Sequence, residues 1–183
     1  VTITFNLNPT ASEAGPDQTG AATCGLTSVT LAANAPVIGT GNWSIISGAG
    51  GSFVDATDPF TVFSGTAGTT YVLRWTISNA PCTASTDNVT ITFNLNPTVS
   101  AAGPDQTSII CGLTSTTLAA NTPAIGTGNW SIISGAGGSF VDATDPGTVF
   151  SGTAGTTYVL QWTISNAPCI ASTDDVTITF NQN

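Results

Sequence analysis

The stretch VTITF at residues 89–93 alternates apolar and polar side chains at every position. Its Val, Ile and Phe therefore lie on one face of an extended strand, and its two Thr residues lie on the other. The same five letters occur at residues 1–5 and 176–180, so the copies begin at positions 1, 89 and 176. Periods of 88 and 87 residues are too long for a solenoid turn and indicate one whole domain per repeat.

The rest of each repeat also has the pattern of β-structure. In YVLRWTI, at residues 71–77, the side chains of Tyr71, Leu73, Trp75 and Ile77 share one face. Short strands of this kind are separated by clusters of Gly, Pro, Asn and Asp, and no helical period is present. This pattern predicts an all-β chain of tandem immunoglobulin-like β-sandwich domains.

The repeat boundaries predict three segments. Residues 1–7 are interpreted as the closing strand of a preceding or neighbouring repeat, 8–95 as repeat 1 and 96–183 as repeat 2. The first segment has two explanations: a longer array, or a strand that completes a neighbouring molecule by strand addition. Short proline-containing linkers between repeats favour a stiff arrangement.

Charge narrows the classes of partner. The chain has a net charge of −9, and Arg74 is its single basic residue. With so little positive charge, nucleic acid is excluded as a partner, because binding it requires neutralised phosphates. No run of about 20 apolar residues is present, so membrane insertion is not expected. The predicted partners are copies of the chain itself or adjacent repeats, with a surface glycan as a weaker hypothesis.

Four cysteines occur, and they are placed regularly. Cys24 and Cys82 are 58 positions apart, as are Cys111 and Cys169. Four cysteines allow three pairings, and the equal spacing favours one disulfide per repeat, Cys24–Cys82 and Cys111–Cys169. A four-cysteine metal site is the alternative, but the chain has no C-x-x-C motif and no His. Disulfides imply an extracellular or cell-surface location.

Several motifs in a shared order resemble a known family. They are AGPDQT at 14–19 and 102–107, GNWSI at 41–45 and 128–132, GTTYVL followed by W and I at 68–77 and 155–164, and the closing VTITF. Together they resemble the polycystic-kidney-disease-type (PKD) immunoglobulin-like repeats of large bacterial surface adhesins, including those of gliding bacteria exported by type IX secretion. The resemblance implies an extracellular spacer or adhesive role and transfers no catalytic residue. The cysteine pair and the near absence of basic residues depart from the family pattern.

Candidate chemistry is sparse. No His or Lys is present to activate a Ser or Thr nucleophile, so an enzyme is not expected. The loop DATDP, at 55–59 and 142–146, has oxygen ligands suited to Ca²⁺: Asp55, Asp58, Asp142 and Asp145. The alternative is that these carboxylates accept hydrogen bonds from turn N–H groups. No other cofactor is predicted.

A glycan site would need an exposed aromatic platform. Alternation places Trp43, Tyr71 and Trp75 inward, where they are expected in the core. Phe60 is the plausible exposed aromatic residue, and its counterpart in repeat 2 is Gly147. We therefore expect a structural repeat segment of an extracellular adhesin or filament, acting as a stiff spacer or stalk. A carbohydrate-binding or calcium-binding module is the alternative.

Overall fold

The fold is that of a computed structural model, which describes residues 1–107 and 111–182. The chain forms two compact units, Val1–Leu95 and Asn96–Asn183. Within the described residues, the regular elements are β-strands and one short 3₁₀ turn, at Ala21–Thr23. Among the described residues, no helix has the length and apolar character needed to cross a membrane.

Repeat 1 contains two antiparallel three-stranded sheets. Its strands are β1 (Ser28–Thr30), β2 (Thr40–Ser47), β3 (Ser52–Phe53), β4 (Val62–Ser64), β5 (Thr70–Ser78) and β6 (Ser85–Thr92). One sheet has the order β2-β5-β6 and the other β1-β4-β3. Gln18 adds a parallel bridge to Ile91 at the outer edge of β6.

Repeat 2 has the same arrangement. Its strands are β7 (Ser115–Thr117), β8 (Thr127–Ser134), β9 (Ser139–Phe140), β10 (Val149–Ser151), β11 (Thr156–Ser165) and β12 (Ser172–Phe180). They form the sheets β8-β11-β12 and β7-β10-β9, and Gln106 bridges Ile178 as Gln18 bridges Ile91. The predicted fold, an all-β chain with immunoglobulin-like sandwiches in tandem, is confirmed.

The core follows the alternation of the central strands. In β5 the side chains of Tyr71, Leu73, Trp75 and Ile77 are fully buried, while the residues between them are half-buried. Trp43 of β2 packs against Trp75 with ring centroids 5.0 Å apart. Burial of these large rings contributes hydrophobic stabilisation to the domain. The inward placement predicted for the two Trp residues and Tyr71 is confirmed.

Tyr71 also carries a polar group into this core. Its hydroxyl accepts a hydrogen bond from the Thr66 N–H and donates one to the Ala49 carbonyl, both at 2.8 Å. The Tyr71 hydroxyl therefore connects two loops at one end of the sandwich. Gly48 lies against the same ring with φ +99°, a backbone conformation that residues other than Gly rarely adopt.

The first VTITF copy differs from the other two. Residues 1–9 contain no strand, although residues 89–92 and 176–180 lie within β6 and β12. The role of residues 1–7 as the closing strand of a preceding or neighbouring repeat stays a prediction, and within the described chain they form no strand. The physical reason is pairing: β6 is bonded along its length to β5, from Ile77↔Ser85 to Thr70↔Thr92, whereas residues 1–5 have no ladder partner within the described chain.

Candidate functional site

The DATDP loop of repeat 1 connects β3 to β4 and uses its carboxylates within the turn. Asp55 Oδ1 accepts hydrogen bonds from the Thr57 N–H at 2.8 Å and the Thr57 hydroxyl at 2.7 Å. Asp58 Oδ1 accepts one from the Phe60 N–H at 2.9 Å. These are the turn bonds that were the alternative to Ca²⁺ ligation, and they engage one oxygen of each carboxylate.

The second loop repeats this geometry. Asp142 Oδ1 accepts from the Thr144 N–H and hydroxyl at 2.8 and 2.7 Å, and Asp145 Oδ1 accepts from the Gly147 N–H at 2.9 Å. Hydrogen bonds from Thr144 lower the pKa of Asp142, as those from Thr57 lower the pKa of Asp55. In the part of the chain that the structure describes, no group of three or more His, Cys, Asp or Glu could hold a metal ion. Calcium binding by these loops stays a prediction.

Two further acids, which the sequence assigned no role, join separate segments of each repeat. Asp87 Oδ2 accepts from the Ala14 N–H at 2.7 Å, and Asp17 Oδ1 accepts from the Thr90 N–H at 2.7 Å. Both bonds tie the N-terminal segment of the repeat to the β6 edge. Asp174 and Asp105 make the equivalent bonds at 2.8 Å in repeat 2. Their presence in both copies was the available sequence signal.

Small-ligand binding depends on pockets and on exposed aromatic rings. Residues 1–107 and 111–182 form no pocket. Phe60 is 57% exposed, as expected, but it stands alone and its counterpart is Gly147. A glycan site built on Phe60 would therefore not be repeated in the second domain.

The predicted cysteine pairing is wrong. Cys24 and Cys169 are disulfide-bonded in the structure, whereas Cys82 and Cys111 have free thiols. Neither Cys24–Cys82 nor Cys111–Cys169 therefore has both members in the disulfide state. The reason is geometric, because the two cysteines of one repeat lie at opposite ends of its closing strand.

In repeat 1, Gly25 N–H donates to the Asn94 carbonyl, which places Cys24 just beyond the end of β6. Cys82 lies in the turn before β6 begins, where its N–H donates to the Asn79 carbonyl. The seven steps from Ser85 to Thr92 span about 23 Å at the rise of a β-strand. A disulfide requires Cα atoms within about 7 Å.

The apolar residues of the first VTITF copy are exposed. Val1, Ile3 and Phe5 have relative exposures of 124%, 73% and 91%, whereas their repeat-1 counterparts, Val89, Ile91 and Phe93, have 2%, 0% and 0%. The same side chains that close a sandwich at β6 thus lie in solvent at residues 1–5. An exposed, uncharged, strand-forming segment is a surface to which another sheet edge can pair.

Comparison with known proteins identifies the fold. No known family matches the chain, and no curated protein matches it. Among solved structures, the chain is similar to the insect immune protein hemolin, with 11% identity and a TM-score of 0.53, over 94% of this chain and 47% of hemolin. It is also similar to Sidekick-1 immunoglobulin domains 1-5 (12% identity, TM-score 0.49, 96% and 40% coverage). Human CDH23 EC21-23 shows 12% identity and a TM-score of 0.42, with 94% and 63% coverage.

The chain spans less than two thirds of each of these three structures. At such identities the likeness to hemolin concerns the fold alone, and the shared fold is a run of immunoglobulin-like sandwiches.

Proposed function

We propose that the chain is a structural segment of an extracellular bacterial surface adhesin or filament, in which near-identical repeats act as a stiff, load-bearing spacer. The observation that carries the proposal is the use of the acids present in both copies. Asp17, Asp55, Asp58 and Asp87 accept hydrogen bonds from backbone N–H groups of their own repeat, and so do their counterparts. Retention of fold residues, with loss of the exposed Phe60, supports a spacer rather than a repeated binding site.

The motif order that resembles PKD-like repeats supports the bacterial and surface-adhesin parts of the proposal. Disulfide-bonded cysteines support an oxidising, extracellular compartment. Hemolin, whose structure is described as having implications for homophilic adhesion, gives a precedent for adhesive use of this fold. By analogy, the partners of this chain would be further repeats of its own kind.

Load-bearing can be tested by stretching the single chain from its two termini with its thiols reduced. A spacer of two independent folded repeats should unfold in two discrete steps. Each step should release about 300 Å, since about 88 residues extend by roughly 3.5 Å each. Gradual extension at low force, without steps, would contradict the proposal.

Strand addition is the proposed mode of assembly, and the exposed first VTITF copy supports it. In another molecule this segment would supply the alternating apolar face that Val89, Ile91 and Phe93 supply within repeat 1. Deleting residues 1–7 should abolish filaments seen by negative stain while leaving both sandwiches folded. Replacing Ile3 and Phe5 by Thr is a milder second variant that should also abolish filaments, because both side chains are exposed and their loss should not disturb the fold. Filaments that persist in both variants would refute strand addition.

The second candidate function is a carbohydrate- or calcium-binding module, favoured by the repeated DATDP loops. A calcium-binding repeat should lose several degrees of melting temperature in EDTA. Because the loop carboxylates already accept turn hydrogen bonds, we expect EDTA to leave the melting temperature unchanged. A glycan array with reproducible hits would favour the carbohydrate alternative over the spacer.

A further inference from the structure

The stretch that begins with the first VTITF copy, residues 1–10, is identical to residues 89–98. In repeat 1 the later copy forms the second half of β6 and continues into Asn94 and Leu95. The first copy therefore carries the same side chains with which a closing strand engages its sandwich. The contacts of the later copy define the partner that the first copy would fit.

The closing strand of repeat 1 lies between two backbone partners. One partner is β5, which is paired with β6 along its length. The other is formed by Asp17 and Gln18. The Thr90 N–H donates to Asp17 Oδ1 at 2.7 Å, and the Gln18 N–H donates to the Thr90 carbonyl at 2.9 Å. We call the space between β5 and these two residues the closing slot.

Asn94 fastens the far end of the closing strand to a neighbouring turn. Its side-chain amide donates to the Thr19 and Gly20 carbonyls, both at 3.1 Å. The same amide donates to the Thr23 hydroxyl at 2.9 Å. The equivalent residue of the first copy is Asn6, which is exposed. A donated strand would therefore bring its own amide to this turn.

The remaining sheet edges are covered where a strand would add. The longest of them is β2, and Trp43 in its middle uses both backbone groups. Its N–H donates to the Ala56 carbonyl at 2.7 Å, and its carbonyl accepts from Asn42 Nδ2 at 2.9 Å. At the β1 edge the Thr30 carbonyl accepts from Gln18 Nε2. A strand adding at either edge would have to displace these contacts, whereas the closing slot fits the VTITF sequence.

The first VTITF copy cannot occupy the closing slot of its own repeat. The Leu7 carbonyl accepts from Asn79 Nδ2 at 2.7 Å, so Leu7 lies just past the last residue of β5. A closing strand ends at the opposite end of β5, where the Phe93 N–H donates to the Thr69 carbonyl. These ends are about 26 Å apart at the rise of a β-strand. Phe5 can lie at most about 7 Å from Leu7, so the slot it fits belongs to another unit.

We propose that residues 1–7 insert into the closing slot of repeat 1 in a second molecule whose own closing strand has left it, and that Asn6 then binds the turn Ala21–Thr23 of that molecule. The inference rests on the strand addition proposed above and names its acceptor. Insertion buries the three exposed apolar side chains of the first VTITF copy, which drives association. The tethered closing strand competes for the same slot, so its release controls assembly.

Ile91→Asp opens the slot in the intact chain. Ile91 is fully buried, and a charged side chain at this position keeps β6 out of the core. Since the first VTITF copy cannot close its own repeat, residues 1–7 of each molecule should enter the next. Sedimentation velocity should show a series of oligomers at concentrations where the wild type is monomeric. A reducing agent excludes cross-links through Cys82 and Cys111.

The matched control combines Ile91→Asp with Ile3→Asp. The slot is equally open in this double variant, but the donor strand has lost part of its apolar face. Ile3 is 73% exposed, so its replacement should leave the rest of the fold unchanged. The double variant should stay monomeric. Equal association of both variants would indicate non-specific aggregation and overturn the proposal, as would a lack of oligomers in Ile91→Asp.

A synthetic peptide of residues 1–7 tests the slot and Asn6 without relying on oligomers. Added while the reduced double variant refolds, it should restore the calorimetric transition of repeat 1. The same peptide with Asn6→Ala should need about fivefold higher concentration, as expected for the loss of one net hydrogen bond. No restoration by the unaltered peptide would overturn the slot, and equal potency of the two peptides would overturn the role of Asn6.

Failure of this proposal is distinguishable from failure of strand addition. Wild-type filaments that depend on residues 1–7, together with no assembly of Ile91→Asp and no restoration by the peptide, would reject the closing slot as the acceptor and leave strand addition intact. Two-step unfolding of the stretched, reduced chain tests the spacer and does not involve the slot.

Discussion

Replacing Tyr71 by Phe should weaken repeat 1 alone, by an amount that its surroundings set. The variant keeps the buried ring but loses two hydrogen bonds, one to the Ala49 carbonyl and one from the Thr66 N–H. Both partners belong to exposed residues, so water can replace the hydroxyl after a small adjustment. We therefore expect the net cost of about 1 kcal/mol that is typical of a hydrogen bond, rather than that of two orphaned buried groups.

For a domain of this size, about 1 kcal/mol lowers the melting temperature by roughly 4–8 °C. Scanning calorimetry under reducing conditions should show the effect as a split endotherm, because only half of the unfolding enthalpy moves. Tyr158→Phe is the matched variant, since its hydroxyl contacts Thr153 and Ala136 at 2.9 and 2.7 Å. Tyr158→Phe should lower the melting temperature of repeat 2 by a similar amount. An endotherm that shifts as a whole in either single variant would refute the independence of the repeats, and a shift below about 1 °C would refute the role of the hydroxyl.

The remaining predictions concern the acidic loops and a core glycine. The lowered pKa of Asp55 and Asp142 means that each carboxylate adds stability above its ordinary value of 3.8 and loses it as pH falls through the folded value. The melting temperature should thus fall more steeply below about pH 4 in the wild type than in the double variant with Asn at both positions. Gly41→Ala should cost about 1–3 kcal/mol by chemical denaturation, because the new methyl overlaps the Trp75 ring, whereas Gly20→Ala has nothing within 4 Å and should be neutral.

Strand faces were predictable because the pattern that reports them is local. Alternation in residues 71–77 is sufficient to place Trp75 inward and Arg74 outward, and Arg74 indeed reaches along the sheet surface to Asn88. A substitution between copies was harder to interpret. Val29 packs partly against the core of repeat 1, while Thr116 at the same place in repeat 2 donates a hydrogen bond to Gln106 Oε1. The sequence shows the change of residue but not the polar partner that makes it tolerable.

Features that depend on distant partners were not predictable in this way. Residues 1–5 and 89–93 are identical in sequence, yet only the second copy pairs with another strand of the described chain. Strand formation requires a neighbouring strand as well as a suitable sequence. The cysteine spacing led to the wrong disulfide pairing for a related reason. Equal separations of 58 residues fit both a bond within each repeat and one between repeats. The length of β6, which separates Cys24 from Cys82, excludes a bond within repeat 1.

Near-identical repeats raise the question of why each closing strand joins its own sandwich. Side-chain chemistry does not explain the choice: the native registers place Arg74 opposite Asn88 and Gln161 opposite Asp175, and an exchange would set Arg74 against the acid. Loop closure does favour the native pairing. The β5–β6 turn has six residues, 79–84, whereas pairing β5 with β12 would close a loop of 93, residues 79–171. The difference is roughly 2 kcal/mol in favour of the short loop. Because the two repeats are nearly identical in sequence, the short β5–β6 turn therefore contributes most to the pairing of each closing strand with its own sandwich.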